Sequence, residues 1–238
     1  MKKSAILTAL FSLWLINNAL AEWVETFEGY DHGSIAGQTA DSPGLEEAWV
    51  GSPGAEIVQT DSGKALQINP TGQWTGIAFD LDGYDSPFPG MDGILGEAPG
   101  SNLFIGYSLQ FIDVAPSNAQ AYLGLAEALE SEKGVLFGQA WNQANFSGAF
   151  GKASDIALDT EPHFVLIHLQ RQGGQSVAAK VYLDPVHPFE KSLEQQEPTV
   201  ELWPREKQAK FLQFKANGST FTVDDIRIAD EAHAVFPQ

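Results

Sequence analysis

The fold is predicted most directly by the stretch FTVDDIRI, residues 221–228. β-Branched and aromatic residues dominate its apolar positions, which is typical of a strand. It comes shortly after Asn217-Gly218, a dipeptide that favours a tight turn between antiparallel strands. An apolar run at residues 211–214 precedes that turn. The two runs therefore predict a β-hairpin in this part of the chain.

Short apolar runs separated by Gly and Pro extend through the rest of the sequence, a pattern that indicates an all-β protein. The segment AYLGLAEALE at 121–130 also has high helix propensity, but the strands on either side favour a strand at 122–126. Long connections are predicted at 29–55, 80–100 and 184–207. The pattern as a whole predicts a two-sheet antiparallel jelly-roll sandwich. The other predicted strands are 23–27, 65–68, 76–79, 103–114, 135–141, 146–150, 164–170 and 177–183.

The first residues have the features of a secretory signal. Lys2 and Lys3 precede a mostly apolar run at 5–16, and Ala-Leu-Ala at 19–21 is a cleavage pattern. A membrane anchor is the alternative, but the run is shorter than the roughly 20 apolar residues that span a bilayer. We therefore expect a signal peptide at 1–21, a single jelly-roll domain at 22–238, and a secreted or periplasmic location.

Charge and composition exclude several classes of partner. The net charge is −18, and loss of Lys2 and Lys3 would make it more negative by two. Such a surface repels phosphate backbones, so nucleic acid is not expected as a partner. Insertion into a membrane is not expected either. The chain has no cysteine, which excludes disulfides, thiol catalysis and thiolate metal sites.

Two motifs near the opposite ends of the predicted domain carry a family resemblance. TFEGY at 26–30 and GSIAGQ at 33–38 open the segment, and DDIRI at 224–228 closes it. This pairing resembles the concanavalin A-like lectin/glucanase superfamily, in particular LamG-like exported bacterial domains, although Ile35 stands where that opening has Leu. The resemblance implies a jelly roll whose first and last strands pair. It implies no activity, because one fold hosts many functions.

Three carboxylates would meet if the first and last strands are neighbours. Glu28 is predicted to end the first strand, and Asp224 and Asp225 lie in the last. Calcium takes six to eight oxygen ligands, which carboxylates and carbonyls supply. We therefore predict a structural calcium at this place, with one of the two aspartates as ligand because adjacent strand residues face opposite ways. The alternative is that these residues cap turns or pair with Arg227.

Aromatic side chains next to amides suggest carbohydrate binding. Indole and phenol rings can stack on sugar rings while amides bond the hydroxyl groups. The alternative is that the aromatic residues fill the core, as is common in sandwiches. The predicted ligand-binding residues are Trp141, Asn142, Gln143, Asn145, Trp74 and Tyr107.

No catalytic signature is recognisable in the sequence. Retaining glycosidases of the resembled superfamily place their two carboxylates in a Glu-x-Asp-x-x-Glu run, and none occurs here. We therefore expect an exported, non-catalytic binding module for carbohydrate or cell-surface glycan, with calcium as the candidate ion. A glycoside hydrolase or polysaccharide lyase with a divergent active site is the first alternative. A structural envelope or matrix protein is the second.

Overall fold

The computed structural model shows an all-β protein with two antiparallel sheets packed as an open sandwich, which confirms the predicted jelly-roll class. The structure describes residues 22–39, 48–78, 102–115, 119–141, 143–148, 153–172, 177–186, 193–204 and 210–237. Its strands are β1 (Glu22–Glu25), β2 (Gly33–Ser34), β3 (Ala55–Thr60), β4 (Gly63–Ile68), β5 (Trp74–Ala78), β6 (Asn102–Asp113), β7 (Gln120–Ala126), β8 (Val135–Gln139), β9 (Ser147–Gly148), β10 (Pro162–Arg171), β11 (Val177–Leu183), β12 (Val200–Leu202), β13 (Phe211–Asn217) and β14 (Thr220–Ala229).

The larger sheet has nine strands, with β12-β11-β10-β6-β14-β4-β3-β2 in order and β1 added beside β14. The smaller sheet has five strands in the order β5-β13-β7-β8-β9. The chain passes from the smaller sheet to the larger one between β13 and β14. In the described residues these two strands pair with other strands and not with each other, so the prediction of a β-hairpin here was wrong. The turn at Asn217-Gly218 instead connects the two layers of the sandwich. In the described part of the chain, no helix is both long and apolar enough to span a bilayer.

The first and last strands are neighbours, as the sequence predicts. Trp23 pairs with Ile228, and Glu25 pairs with Ile226. The earlier half of β14 instead pairs with β4, where Val223 lies opposite Leu66. Strand β14 thus changes partner along one edge, from β4 to β1. The backbone is irregular at this change, with a register shift between Asp224 and Arg227.

The core lies between the two sheets and follows the two-residue period of the strands. Alternate residues of β6 point into it, from Leu103 to Phe111. Phe214 and Leu212 of β13 face them from the smaller sheet. Each large apolar side chain that is fully buried contributes about 1.5–3 kcal/mol relative to exposure. This core holds both sheets in fixed positions and so positions the clefts described below.

Some predicted element boundaries were wrong. The first strand ends at Glu25 rather than near Glu28, because Phe27 has φ 59° and cannot continue an extended run. The segment 184–207, predicted as a connection, contains the strand β12. The strand β3, which begins where the predicted connection at 29–55 ends, was not predicted. The ambiguous segment at 122–126 is strand β7, as predicted. The signal segment at 1–21 and the connection at 80–100 lie outside the described residues.

Candidate functional site

An acidic cleft opens where β14 changes partner. The three residues predicted as calcium ligands, Glu28, Asp224 and Asp225, all line it. Both aspartates reach the same cleft, although adjacent strand residues normally face opposite ways. The reason is the irregularity in β14, where Asp225 has φ 48°. The alternation on which the choice of a single aspartate ligand was based does not hold here, since a local break in the strand overrides it. The prediction that only one of the two is a ligand stays a prediction.

Each carboxylate of the acidic cleft has a contact within the protein. Glu28 accepts a hydrogen bond from the backbone N–H of Lys64 at 2.8 Å. Asp224 accepts one from the backbone N–H of Asp225 at 2.7 Å. Asp225 forms an ion pair with Arg227, with 2.9 Å between Oδ1 and Nε. The predicted alternative, pairing with Arg227, is therefore what one of the aspartates does.

Asp224 has the most perturbed carboxyl group of this cleft. Burial and, to a smaller extent, the negative charges of Asp225, Glu28 and Glu25 together raise its pKa to about 6, although the hydrogen bond from the Asp225 N–H lowers it. The cleft measures about 490 Å³, and Ser108, Gln110 and Thr222 add polar groups to its lining.

The acidic side chains do not form a closed metal cage. Among the described residues there is no group of three or more His, Cys, Asp or Glu side chains arranged to hold a metal ion. Calcium would need further oxygen atoms from backbone, side chains or water. Glu28, Asp224 and Asp225 therefore form no preformed metal cage by themselves and would supply only part of the ligands of a calcium ion, so the calcium hypothesis stays a prediction.

A second cleft, the tryptophan cleft, lies at the β5 edge of the smaller sheet. Trp74 begins β5 and is half-buried there, beside Val50, which is 59% exposed, and Leu129. Gln73 and Glu130 provide exposed polar groups, and the cleft measures about 380 Å³. An apolar wall with a few polar groups is the usual composition of a small-molecule site.

A row of side chains extends from this cleft across the outer face of the smaller sheet. In the strand register, Trp74 of β5 lies opposite Lys215 of β13, and Lys215 lies opposite Tyr122 of β7. The Lys215 ammonium is 5.0 Å from the centre of the Trp74 ring and 3.0 Å from Glu132 Oε1. Lys215 therefore holds one side of the Trp74 ring in place while its own charge is compensated.

The loop that carries Glu130 is held in position by the side chain of Gln213. The amide of this fully buried side chain accepts a hydrogen bond from the Glu130 N–H at 3.0 Å and donates one to the carbonyl of Ser131 at 2.6 Å. Glu130 has φ 73°, a conformation that non-glycine residues adopt at a cost. Two partly buried hydrogen bonds, one to Glu130 and one to the next residue, thus stabilise the strained segment that lines the tryptophan cleft.

The predicted ligand-binding residues that follow β8 do not form a single site in the described part of the chain. Trp141 is 49% exposed, and its backbone is hydrogen-bonded to the Tyr122 phenol. Gln143 is exposed, whereas the Asn145 side chain donates a hydrogen bond to the carbonyl of Ser154 at 2.7 Å. Neither Trp141 nor Gln143 lines the tryptophan cleft. Asn142 lies outside the described residues.

Tyr107 does not belong with these residues. It lies on β6 with its ring in the core at 0% exposure, so it is not available to a ligand, and the sequence-based choice of this residue is corrected here. Its hydroxyl has no hydrogen-bond partner in the described part of the chain. Burial raises the pKa of this phenol. Only the residue's position in a two-residue alternation distinguishes it from an exposed tyrosine in the sequence.

A third cleft, the edge cleft, lies at the free edge of the larger sheet, between the segment 153–156 and the residues around β12. It measures about 600 Å³. Trp203 and Ile156 stand in it with 59% and 41% of their surface exposed. The sequence gives no sign of this cleft, because residues 184–207 have the composition of a polar connection without a strand.

His163 is surrounded by carboxylates near the start of β10. Its Nδ1 lies 2.6 Å from Asp184, and its Nε2 lies 2.9 Å from Asp159. Burial lowers the pKa of this imidazole, but the hydrogen bonds and charges of Asp184 and Asp159 outweigh burial and raise it. Asp184 also accepts the backbone N–H of Phe164. The cluster therefore ties the end of β11 and the segment before β10 to one side chain.

No family model matches the sequence, and no curated protein matches it. Solved structures give similar folds. An alginate lyase in complex with alginate tetrasaccharide has 9% identity and a TM-score of 0.44, over 88% of this chain and 97% of the lyase. A Trypanosoma rangeli sialidase has 10% identity and a TM-score of 0.44, over 86% and 31%.

Botulinum neurotoxin type C, described as interacting with two ganglioside molecules, has 9% identity and a TM-score of 0.47, over 84% of this chain and 47% of the toxin chain. These three proteins bind or process carbohydrate. At TM-scores below 0.5 the likeness carries no argument about a ligand or activity of this chain.

Proposed function

We propose that this protein is an exported, non-catalytic carbohydrate-binding module of the concanavalin A-like type, and that the tryptophan cleft is its ligand site. The observation that carries the proposal is the position of Trp74. Its ring is held by Lys215 on one side and opens into a cleft that contains Gln73 and Glu130. An immobilised aromatic ring beside polar side chains is suited to stack on a sugar and bond its hydroxyl groups.

The test is binding of neutral polysaccharides to the protein, measured by affinity electrophoresis and isothermal titration calorimetry. Trp74→Ala is expected to weaken binding about fivefold or more, since a lost aromatic contact costs about 1 kcal/mol or more. Trp74→Phe should retain part of the affinity. If no polysaccharide of a broad panel binds the wild-type protein, the proposal is wrong.

A matched control is Ile112→Ala. Ile112 is 51% exposed and lines none of the three clefts. This variant removes an exposed apolar side chain without changing the proposed site. It is expected to bind as the wild type does, and an equal loss in both variants would show a nonspecific effect of surface hydrophobicity.

Calcium binding at the acidic cleft is the second part of the proposal. The support is the convergence of Glu28, Asp224 and Asp225 on one cleft. Added CaCl₂ is expected to raise Tm, and Asp225→Asn together with Glu28→Gln is expected to remove that rise. An unchanged Tm at saturating calcium would refute the metal site but leave the carbohydrate proposal intact.

A hydrolase is the alternative function, and one observation favours it. Asp224 has a pKa of about 6 and lies beside the carboxylates of Asp225 and Glu28, which is the type of environment that produces a general acid. Release of reducing sugar from a polysaccharide panel would support this reading, provided that Asp224→Asn abolishes it. Binding without product release would exclude it for those polysaccharides.

A further inference from the structure

The edge cleft presents an exposed tryptophan that the preceding sections leave without a role. Trp203 is 59% exposed and has a second exposed apolar residue, Ile156, in the same cleft. Large apolar side chains that stand together on a surface mark interaction sites more often than single ones do. The volume of about 600 Å³ is within the range of small-ligand sites.

The charges in this cleft all have one sign. Asp155, Glu197 and Glu201 line it, and all three are exposed. No Lys, Arg or His is among its lining residues in the described part of the chain. Lys180 lies opposite Glu201 in the strand register but does not line the cleft. An anionic ligand would be repelled here, whereas a cation next to an indole ring gains both charge and cation–π attraction.

Features of the edge strand argue against a peptide that adds to the sheet. Strand β12 has only three residues, and Pro198 and Pro204 lie close to its two ends. Its central residue, Glu201, is charged and exposed. Short strands, prolines and charges at an edge are the features that prevent pairing with another strand. Recognition at this place therefore depends on side chains rather than on backbone hydrogen bonds.

We propose that the edge cleft binds a cationic amino-sugar unit of a glycan. The apolar face of the sugar ring would stack on Trp203, and the ammonium group would lie among the carboxylates of Glu197, Glu201 and Asp155. This inference rests on the proposed carbohydrate-binding function and names a ligand class for a second site. It distinguishes this site from the tryptophan cleft, which contains a single carboxylate, Glu130.

The test compares a glucosamine tetramer with its fully N-acetylated analogue, which has the same backbone but no charge. Calorimetry at low salt is expected to show binding of the glucosamine tetramer and at least tenfold weaker binding of the acetylated one. Trp203→Ala, and separately Glu197→Gln with Glu201→Gln, should each reduce affinity for the glucosamine tetramer about tenfold or more. Ile112→Ala is the matched control and should leave this binding unchanged, because Ile112 is exposed and lines none of the three clefts.

Any of the following results would overturn the inference. The first is equal binding of both tetramers, and the second is binding that does not depend on Trp203. The third is a lysine-containing peptide that binds through Trp203 more tightly than the glucosamine tetramer, which would assign the cleft to a protein partner. Trp74-dependent binding of a neutral glycan without binding of glucosamine would refute this inference alone. A failure of all glycans would refute the proposed function as well.

Discussion

At the scale of single residues, the stability of the protein depends on whether buried hydroxyl groups have hydrogen-bond partners. Tyr30 and Tyr107 are both buried tyrosines, but their hydroxyl groups differ in what they contact. The Tyr30 hydroxyl donates to Glu25 at 2.8 Å and accepts from Trp49 Nε1 at 3.0 Å. The Tyr107 hydroxyl has no partner in the described part of the chain. A buried hydroxyl without a partner lowers stability, whereas one with two partners supports it.

Replacement of Tyr107 by Phe is therefore expected to raise the free energy of unfolding by about 1 kcal/mol, because the unpaired hydroxyl is removed and the ring stays. Tyr30→Phe is the matched control and should lower the free energy by about 1–3 kcal/mol. Urea denaturation measures both. A loss of stability in Tyr107→Phe would indicate a partner for the hydroxyl that the structure does not show.

The Asp224 carboxyl predicts a pH dependence of stability with a defined sign. Its folded pKa of about 6 lies above the value of about 3.9 in an unfolded chain, so the folded state binds the proton more tightly. The contribution of this group to stability is therefore fully present below about pH 3.9 and is lost as the pH rises through about 6. The ionised Asp224 carboxylate therefore lowers the free energy of unfolding most at neutral and alkaline pH.

Asp224→Asn is thus expected to be more stable than the wild type at pH 8 by about 1 kcal/mol, after allowance for solvent screening, and nearly equal to it at pH 3.5. Denaturation at several pH values measures the difference. If the difference is the same at all pH values, the carboxyl group is not the cause. Added calcium should reduce the wild type's deficit if the ion binds there.

At the scale of elements, close packing inside the smaller sheet limits what its strands tolerate. Gly124 lies in the middle of β7, and a Cβ atom there would overlap the carbonyl oxygen of Val135 and lie 2.6 Å from Leu136 Cδ2. Backbone and side-chain atoms of β8 therefore leave no room for a methyl group at Gly124. Gly37, by contrast, has a positive φ of 82° but nothing within 4 Å of the same position.

Gly124→Ala is expected to destabilise the protein by about 2–4 kcal/mol, because β7 and β8 must separate to admit the methyl group. Gly37→Ala is expected to cost about 1–2 kcal/mol, which is the penalty for a left-handed backbone alone. Thermal unfolding of the two variants measures the difference. Equal losses would show that the steric argument for β7 is wrong.

Sequence patterns predicted the strands best where apolar residues alternate over several positions. Strands β6, β10, β11 and β14 were recognised because their inward side chains recur every second residue. The three-residue β12 has too few positions for such a pattern, so its cleft with Trp203 was missed. The sequence predicted that Asp224 and Asp225 lie near Glu28, but not that both aspartates line the same cleft. The register shift that allows this arrangement cannot be recognised from residue types.

At the scale of the whole molecule, negative charge dominates. The net charge is −18 in 238 residues, and carboxylates line each of the three clefts. Among the residues that the structure describes, no Lys, Arg or His lines any of the three clefts. Repulsion among like charges destabilises a folded chain and is screened by salt. Neutral or cationic ligands suit such a surface better than acidic polysaccharides.

The free energy of unfolding is therefore expected to rise as NaCl is increased from about 10 mM to about 1 M, over which the screening length falls from about 30 Å to about 3 Å. Urea titrations at several salt concentrations measure the change. A control with the Asp224→Asn variant should show a smaller gain, because one repelling group is already neutral. A decrease with NaCl would mean that attractive ion pairs outweigh repulsion.

The pairing of Glu22 with Ala229 has a consequence for how the chain reaches its native state. These two residues come from opposite ends of the described sequence, so the contact order is high. The entropy of closing the intervening loop is lost before the contacts between the two strands can stabilise the chain. The larger sheet can be completed only after β14 has been synthesised. We expect slow folding, with the larger sheet completed only late in the process.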